Sequence, residues 1–184
     1  MMTTQRITSI DPATATGSNK KYFDALQSSL GLIPNMTRAM GQSPAVLEGY
    51  VLLNGALSKG ALGRKLSEEL ALTLAGANHC DYCASAHTVL GKLAGLDETQ
   101  VSGALRATAE DSKTAAALKF AKLLVEKHGQ IADADFQAVR AAGFTEGEVG
   151  EIVAHVAINV FTNYFNNVAR TDIDFPRVNV SKAA

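Results

Sequence analysis

The chain has 184 residues, of which 47% are hydrophobic, and its 17 basic and 18 acidic residues leave a formal net charge of −1. This length and apolar content predict a single domain over residues 1–184. The charges are spread along the chain, which argues against a nucleic-acid partner, and no apolar run reaches the roughly 20 residues of a membrane span. Residues 1–12 lack the pattern of a signal peptide, so we expect a cytoplasmic protein that binds no membrane.

The first half of the chain carries helix signals after an N-terminal arm of about residues 1–16. Ser18 is expected to cap a first helix that stops at Gly31. A Ser-Pro pair at 43–44 predicts the start of another helix. Ser67 is expected to cap a central helix, which is too apolar for a surface helix and should be buried on most sides.

The second half continues the helical pattern. Asp97 and Ser112 are predicted to cap two further helices, and another is expected over residues 133–142. Thr145 and Glu148 have capping-box spacing and open a last long helix. No sustained period-two pattern occurs outside the tails, so the predicted fold is an all-α compact helical bundle.

The candidate chemistry lies in one short motif. The only two cysteines of the chain are Cys80 and Cys83, and His87 follows four residues after the second. On a helix these side chains share one face, the start of the helix favours a thiolate, and His87 can take the proton of Cys83. Glu68, on the preceding helix, is the best candidate to orient the histidine. The motif therefore predicts a thiol function.

Metal and haem binding are the competing interpretations of the motif. His79, Cys80, Cys83 and His87 supply four potential zinc ligands, but ligands from one continuous helical stretch rarely surround an ion. Covalent haem attachment needs a histidine directly after the second cysteine, where the chain has Ala84. We therefore expect neither a metal nor a cofactor.

The set of Glu68, Cys80, Cys83 and His87 resembles the alkylhydroperoxidase D and carboxymuconolactone decarboxylase superfamily. Four further segments resemble its peroxidase-related branch, so that the resemblance covers about residues 17–177; these segments are residues 32–36, 43–47, 159–166 and 174–176.

The resemblance implies an alkylhydroperoxidase D-like bundle that acts as a thiol-dependent peroxidase or disulfide reductase. Cys83 would attack the peroxide and form a sulfenic acid, and Cys80 would resolve it as a disulfide. His87 would be the base and Glu68 would complete the relay. Its partners would be a small hydroperoxide and a dithiol protein or small thiol. In the best-known members a second histidine stands between the cysteines, where this chain has Tyr82.

Several alternatives remain open at this stage. The superfamily also includes lactone decarboxylases, which need no cysteine pair, and a helical oligomer could sense oxidants without turnover. A homo-oligomer is implied, as a dimer, trimer or hexamer, with the arm and a C-terminal tail of about residues 176–184 ordered against another subunit. His155 and Asn159, one turn apart, either bond to a neighbouring helix or line the pocket.

Overall fold

A computed structural model describes residues 5–180, which form nine α-helices and one short 3-10 helix and contain no strand. The predicted all-α fold is therefore confirmed. The 3-10 helix is Pro12–Thr14, and the α-helices are α1 Gly17–Leu30, α2 Asn35–Met40, α3 Pro44–Leu57, α4 Gly63–Ala77, α5 Asp81–Leu93, α6 Glu98–Leu105, α7 Ser112–Glu126, α8 Asp133–Ala141 and α9 Glu146–Ala169. None of these helices has the length and apolar character that crossing a membrane would require.

Helix α4 is the centre of the bundle and packs against α5, α6, α7 and α9. Its residues Leu70, Leu72 and Leu74 are fully buried. Because these positions fall on different sides of the helix, α4 is surrounded by protein along this stretch. The prediction of a central helix buried on most sides is confirmed.

The start of α4 differs from the prediction. Ser67 does not cap the helix, which begins four residues earlier at Gly63 and has Leu62 at the N-cap without a side-chain capping bond. Gly63 has a φ of +73°, which lets the chain turn into the helix without a polar cap. The Ser67 hydroxyl instead donates to the Gly63 carbonyl at 2.8 Å, which holds it inside the helix.

Two other predicted caps are displaced by one or two residues. Helix α1 begins before Ser18, with Thr16 at its N-cap. Ser112 is the first residue of α7, and the cap is Asp111, whose carboxylate accepts from the Thr114 backbone N–H. By contrast, the predicted cap at Asp97 and the capping box that opens α9 are both confirmed.

The described parts of both tails pack against their own chain. The Arg6 backbone N–H donates to the Ala169 carbonyl at 2.7 Å. The Val180 N–H donates to the Asp81 carboxylate at 2.9 Å. These segments therefore have partners within one chain, although another subunit was predicted to order them. The first four and the last four residues of the predicted tails lie outside the described residues.

The buried apolar residues form two clusters on either side of α4. One joins α4, α6, α7 and α9 through residues such as Leu72 and Leu118. The other contains Cys80 and Cys83 and joins α5 to α1, α2, α3 and the tail, with Phe23 among its most deeply buried members. The cysteine motif therefore lies in an apolar environment, where neighbouring charges and dipoles act strongly.

We expect Gly76→Ala to lower the free energy of unfolding by about 1–3 kcal/mol, the usual cost of overpacking. A Cβ at Gly76 would overlap the Leu105 carbonyl oxygen, where α4 meets α6. Gly49→Ala in α3 is the control, because its Cβ meets no atom within 4 Å in the described part of the chain. That change should be neutral or stabilise by up to about 1 kcal/mol. Urea unfolding followed by circular dichroism measures both, and equal midpoints would contradict the prediction.

Candidate functional site

The first turn of α5 holds the two thiols together. Cys80 is the N-cap residue, with an extended backbone, and its Sγ accepts the backbone N–H of Cys83 at 3.4 Å. Both cysteines are free thiols and almost completely buried. The capping bond places the Cys80 sulfur over the turn that carries Cys83, so that the two thiols are adjacent.

A carboxylate from α4 and an imidazole from α5 form a hydrogen-bonded pair. His87 Nδ1–H donates to Glu68 Oε2 at 2.8 Å. Burial lowers the pKa of His87, but the charge and hydrogen bond of Glu68, together with the charge of Cys83, outweigh burial and raise it. Since Nδ1 contacts Glu68, Nε2 is the ring nitrogen left to exchange a proton with the thiols.

The Cys83 thiol is the acidic one. Burial raises the pKa of Cys83, but it is outweighed by the hydrogen bond from Cys80, by the charge of His87 and by the amides of Asn163 and Asn166, which together lower it to about 7. Asn166 Nδ2 donates directly to Cys83 Sγ at 3.3 Å. Near neutral pH a large fraction of Cys83 is therefore thiolate.

The Cys80 thiol behaves in the opposite way. Its hydrogen bond to Cys83, its burial and the negative charge of Cys83 raise the pKa of Cys80 far above the usual range of a thiol. The sequence-based expectation that the helix start favours a thiolate is therefore wrong for Cys80. A protonated Cys80 next to a Cys83 thiolate is the arrangement that a resolving and an attacking cysteine require.

Sequence reasoning missed two asparagines that lower the pKa of Cys83, of which Asn166 donates to its sulfur. Asn163 and Asn166 are buried on α9 and lie about 80 residues beyond Cys83. Asn163 Oδ1 accepts from Asn78 Nδ2 at 2.9 Å, which fixes its amide. Asn166 Nδ2 also lies 3.1 Å from Met36 Sδ. The feature of the sequence that could have revealed them is a pair of amide side chains, three residues apart, on the apolar face of a predicted helix.

We expect Asn166→Ala to raise the pKa of Cys83 above about 7, since the variant loses a donor to the thiolate sulfur. The rate of Cys83 alkylation by iodoacetamide, measured across pH with peptide mapping, gives this pKa. Val168→Ala is the control, because Val168 lies two residues further along α9 and its side chain is 61% exposed. An alkylation midpoint that stays the same in both variants would contradict the role of Asn166.

Cys83 opens onto a cavity of about 240 Å³, which Glu68 and His87 also line. Cys80 does not line it, so a small molecule in the cavity meets Cys83 first. His155 and Asn159 are among the lining residues, and His155 also bonds to Ser67 on the neighbouring helix α4, so both of the alternatives left open by the sequence hold for His155. A larger cavity of about 700 Å³ lies between α4, α6 and α7 and is lined by neither cysteine nor histidine.

His155 adds a second imidazole to the cavity. The Ser67 hydroxyl donates to a backbone carbonyl and therefore accepts from His155 Nε2–H, at 3.4 Å. Burial lowers the pKa of His155, which keeps the imidazole neutral near pH 7. The cavity thus contains two imidazoles, the neutral ring of His155 and the more basic ring of His87.

Tyr82 and His79 have no proton-relay geometry. The Tyr82 hydroxyl accepts the Met36 backbone N–H at 3.1 Å, and its ring packs edge-on against Phe175 with centroids 5.9 Å apart. Tyr82 therefore joins α5 to α2 and to the C-terminal tail. His79 is exposed, has a φ of +51° and does not line the cavity. Within residues 5–180, no group of three or more His, Cys, Asp or Glu side chains is placed to hold a metal ion.

Residues 44–126 match the model of the Carboxymuconolactone decarboxylase family. A comparison with curated proteins finds no match. An uncharacterized peroxidase-related protein from Ralstonia eutropha, described as an alkylhydroperoxidase AhpD core, has a TM-score of 0.85 at 21% identity, covering 95% of this chain and 94% of that one. A peroxidase-related protein from Silicibacter sp. has a TM-score of 0.80 at 23% identity, with 94% and 95% covered.

A debrominase is also similar to the chain. Its structure, solved as a cysteine-to-alanine variant in complex with 2,3,4-tribromopyrrole, has a TM-score of 0.78 at 21% identity and covers 94% of this chain and 93% of that one. At these identities the solved structures show a shared fold. The chain therefore has the fold of the alkylhydroperoxidase D-like bundle. The family match, over residues 44–126, covers helices α3 to α7 of this bundle.

Proposed function

We propose that the chain reduces hydroperoxides through the Cys80 and Cys83 pair, a proposal supported by the match of residues 44–126 to the carboxymuconolactone decarboxylase family and by the fold shared with peroxidase-related proteins. One observation carries the proposal. Cys83 has a pKa lowered to about 7, lines a cavity and has the protonated thiol of Cys80 beside it. An activated thiolate with an adjacent thiol is suited to two-electron reduction of a substrate.

The first step is an attack by the Cys83 thiolate on the outer oxygen of the hydroperoxide. The new S–O bond forms as the O–O bond breaks, and the electron pair leaves with the alkoxide. His87, protonated because Glu68 raises its pKa, gives the alkoxide its proton, and an alcohol is released. Cys83 is oxidised to a sulfenic acid and the peroxide is reduced.

The second step forms the disulfide. The Cys80 thiol attacks the Cys83 sulfur, the S–O bond breaks, and hydroxide leaves. His87, now neutral, takes the Cys80 proton and passes it to the hydroxide, so that water is released. A dithiol protein or a small thiol then reduces the disulfide by exchange and becomes oxidised itself. This cycle needs a compartment that supplies reduced thiols, which agrees with the cytoplasmic location expected from the sequence.

We further propose that the protein works as a homo-oligomer. The exposed side of α9 carries large apolar side chains, among them Phe161, Tyr164 and Val168, which are 39%, 55% and 61% exposed. Apolar residues that recur along one exposed helix are typical of surfaces that another subunit covers. They lie on the same helix as Asn163 and Asn166, so that assembly would also brace the residues that contact Cys83.

Reductive debromination is a second candidate, and the aromatic walls of the cavity favour it. Tyr50, Tyr82 and Phe175 line the space in front of Cys83, and a flat halogenated ring fits between such side chains. The two thiols would supply two electrons, a C–Br bond would become C–H, bromide would leave and the disulfide would form. Both candidates use the same cysteines and differ in the substrate that oxidises them.

Stopped-flow oxidation of the reduced protein by cumene hydroperoxide tests the proposed function. We expect one disulfide per chain at pH 7, formed about tenfold or more faster than with a free thiol, because about half of Cys83 is thiolate against a few per cent for an unshifted thiol. A parallel reaction with a bromopyrrole, followed by bromide release, tests the second candidate. Oxidation no faster than that of a free thiol would reject a peroxidase and direct attention to debromination, to lyase chemistry or to oxidant sensing.

A further inference from the structure

The cavity wall formed by α3 and α4 carries hydrogen-bond donors that have no protein acceptor within residues 5–180. Tyr50 and Asn54 lie one turn apart on α3, and Arg64 lies near the start of α4. All three line the cavity. Their side chains make no hydrogen bond or ion pair within the described residues. Tyr50 is half-buried, whereas Asn54 and Arg64 are exposed at the mouth of the cavity, where water satisfies their donors until a ligand that carries an acceptor takes its place.

These donors are arranged as two levels at different depths. Tyr50 lies one helical turn from Asn54 on α3, and Glu68 lies one turn from Arg64 on α4. Each of these steps is about 6 Å along the helix axis. The inner level contains the reactive groups, because Tyr50 interacts electrostatically with Cys83 and Glu68. The outer level, Asn54 and Arg64, therefore lies about one helical turn away from the reaction centre.

The outer level is suited to an anion. Arg64 is permanently charged and presents a planar set of donors that matches a carboxylate, and the Asn54 amide adds another donor. Among the residues that the structure describes, Glu68 is the only acidic side chain that lines the cavity, and it is hydrogen-bonded to His87. The positive charge of Arg64 is thus left without a partner of opposite sign among the residues that line the cavity.

The inner level offers a neutral donor to the reacting group. Burial, followed by the negative charges of Cys83 and Glu68, raises the pKa of Tyr50 far above that of a free phenol. Its hydroxyl therefore stays protonated at every working pH and can donate to the oxygen that leaves from the substrate. Tyr50 has this function without competing for the proton that His87 carries.

The remaining part of the cavity mouth is apolar. Leu30, Leu32 and Leu93 line the cavity and are 41%, 38% and 69% exposed to solvent. Leucines exposed together at the edge of a pocket favour an apolar ligand that covers them. The cavity therefore combines an apolar surface with one anion-binding position.

We propose that the substrate is an apolar organic acid, whose carboxylate binds Arg64 and Asn54 while its peroxide group reaches Cys83. The proposal rests on the proposed function for the reaction itself, in which the peroxide of this acid is reduced to an alcohol and the two cysteines are oxidised. The binding of the acid does not depend on the reaction. An apolar acid that carries no peroxide should therefore occupy the same position.

Binding of octanoate and octanamide to the Cys83→Ser protein, measured by calorimetry, tests this inference without any redox step. The two probes have the same chain and differ in charge. We expect octanoate to bind about tenfold more tightly, the effect of one charge-assisted contact. Equal affinities, or no binding of either probe, would overturn the inference.

Two further changes separate direct contact from the general effect of charge. Arg64→Gln in the same background should weaken octanoate about tenfold and leave octanamide unchanged. Lys59→Gln removes one positive charge from an exposed position nearby that does not line the cavity, and should change neither. If both variants weakened octanoate equally, Arg64 would act only through the overall charge, and the inference would be rejected.

Kinetics then distinguish the two proposals. The wild-type protein should be oxidised faster by a fatty-acid hydroperoxide than by the hydroperoxide of its methyl ester, and Arg64→Gln should remove the difference. If no hydroperoxide oxidises the protein while octanoate still binds preferentially, the proposed function fails and the anion-binding position stands. If both hydroperoxides react equally in the wild type, the reaction stands and the substrate class is wrong.

Discussion

Replacing Cys83 by serine is expected to abolish disulfide formation and peroxide consumption, because it removes the thiolate that lines the cavity. Cys80→Ser should instead keep the first step and stop at the second, so that a sulfenic acid accumulates on Cys83. Mass spectrometry after trapping with dimedone measures this product and its position. The difference between the variants is the largest effect that the structure predicts. Cys83→Ser loses all reaction with peroxide, whereas Cys80→Ser loses only the formation of the disulfide.

The contrast also tests the assignment of the two thiols. The pKa of Cys83 is lowered to about 7, whereas the pKa of Cys80 is raised by its hydrogen bond to Cys83 and by burial. Alkylation of the reduced wild-type protein at pH 6 should therefore modify Cys83 first. Faster modification of Cys80, or a sulfenic acid on Cys80 in the Cys83→Ser protein, would reverse the roles.

The helices could be predicted where their signals are local. The capping box of Thr145 and Glu148 and the cap at Asp97 depend on residues three apart, and both are present as predicted. The cap at Ser67 failed because its helix starts through a glycine in a left-handed conformation, which needs no polar side chain. A serine in sequence does not reveal whether the chain has already entered the helix before it.

The reactive set could be predicted in part. Cys80, Cys83 and His87 lie on successive turns at the start of α5, so their proximity follows from their spacing. The pairing of Glu68 with His87 needs only that α4 and α5 lie side by side. The expected asymmetry between the thiols could not be derived from spacing. The asymmetry depends on which sulfur accepts a hydrogen bond from the other thiol and on desolvation in the folded core. A helix-start effect alone would favour the thiolate form of both cysteines.

The distant contributors to the site could not be predicted by local rules. Asn166 reaches Cys83 because α9 packs against α5, and the sequence contains no short-range signal for that packing. The same holds for Phe175, which packs on Tyr82 from the tail. Each contact joins residues more than 75 positions apart, so their proximity follows from the packing of the bundle rather than from helix periodicity.

We expect Glu68→Gln to raise the pH at which Cys83 becomes reactive. The variant keeps the size of the side chain but removes the charge that raises the pKa of His87, so that burial leaves His87 neutral near pH 7. A neutral His87 no longer lowers the pKa of Cys83, which therefore rises above about 7. At pH 7 the rate of oxidation by hydroperoxide should fall about tenfold or more, and part of it should return at higher pH.

Stopped-flow oxidation rates measured from pH 5 to 10, together with Cys83 alkylation, give the expected shift. Glu69→Gln is a closely matched control, because it makes the same change one residue further along α4, where the side chain lines the other cavity and does not contact His87. Its pH profile should match that of the wild type. If both variants shifted the profile equally, the effect would arise from the negative charge of α4 as a whole. A shift confined to Glu68→Gln would show that the hydrogen-bonded carboxylate keeps His87 charged, and that His87 in turn keeps Cys83 ionised.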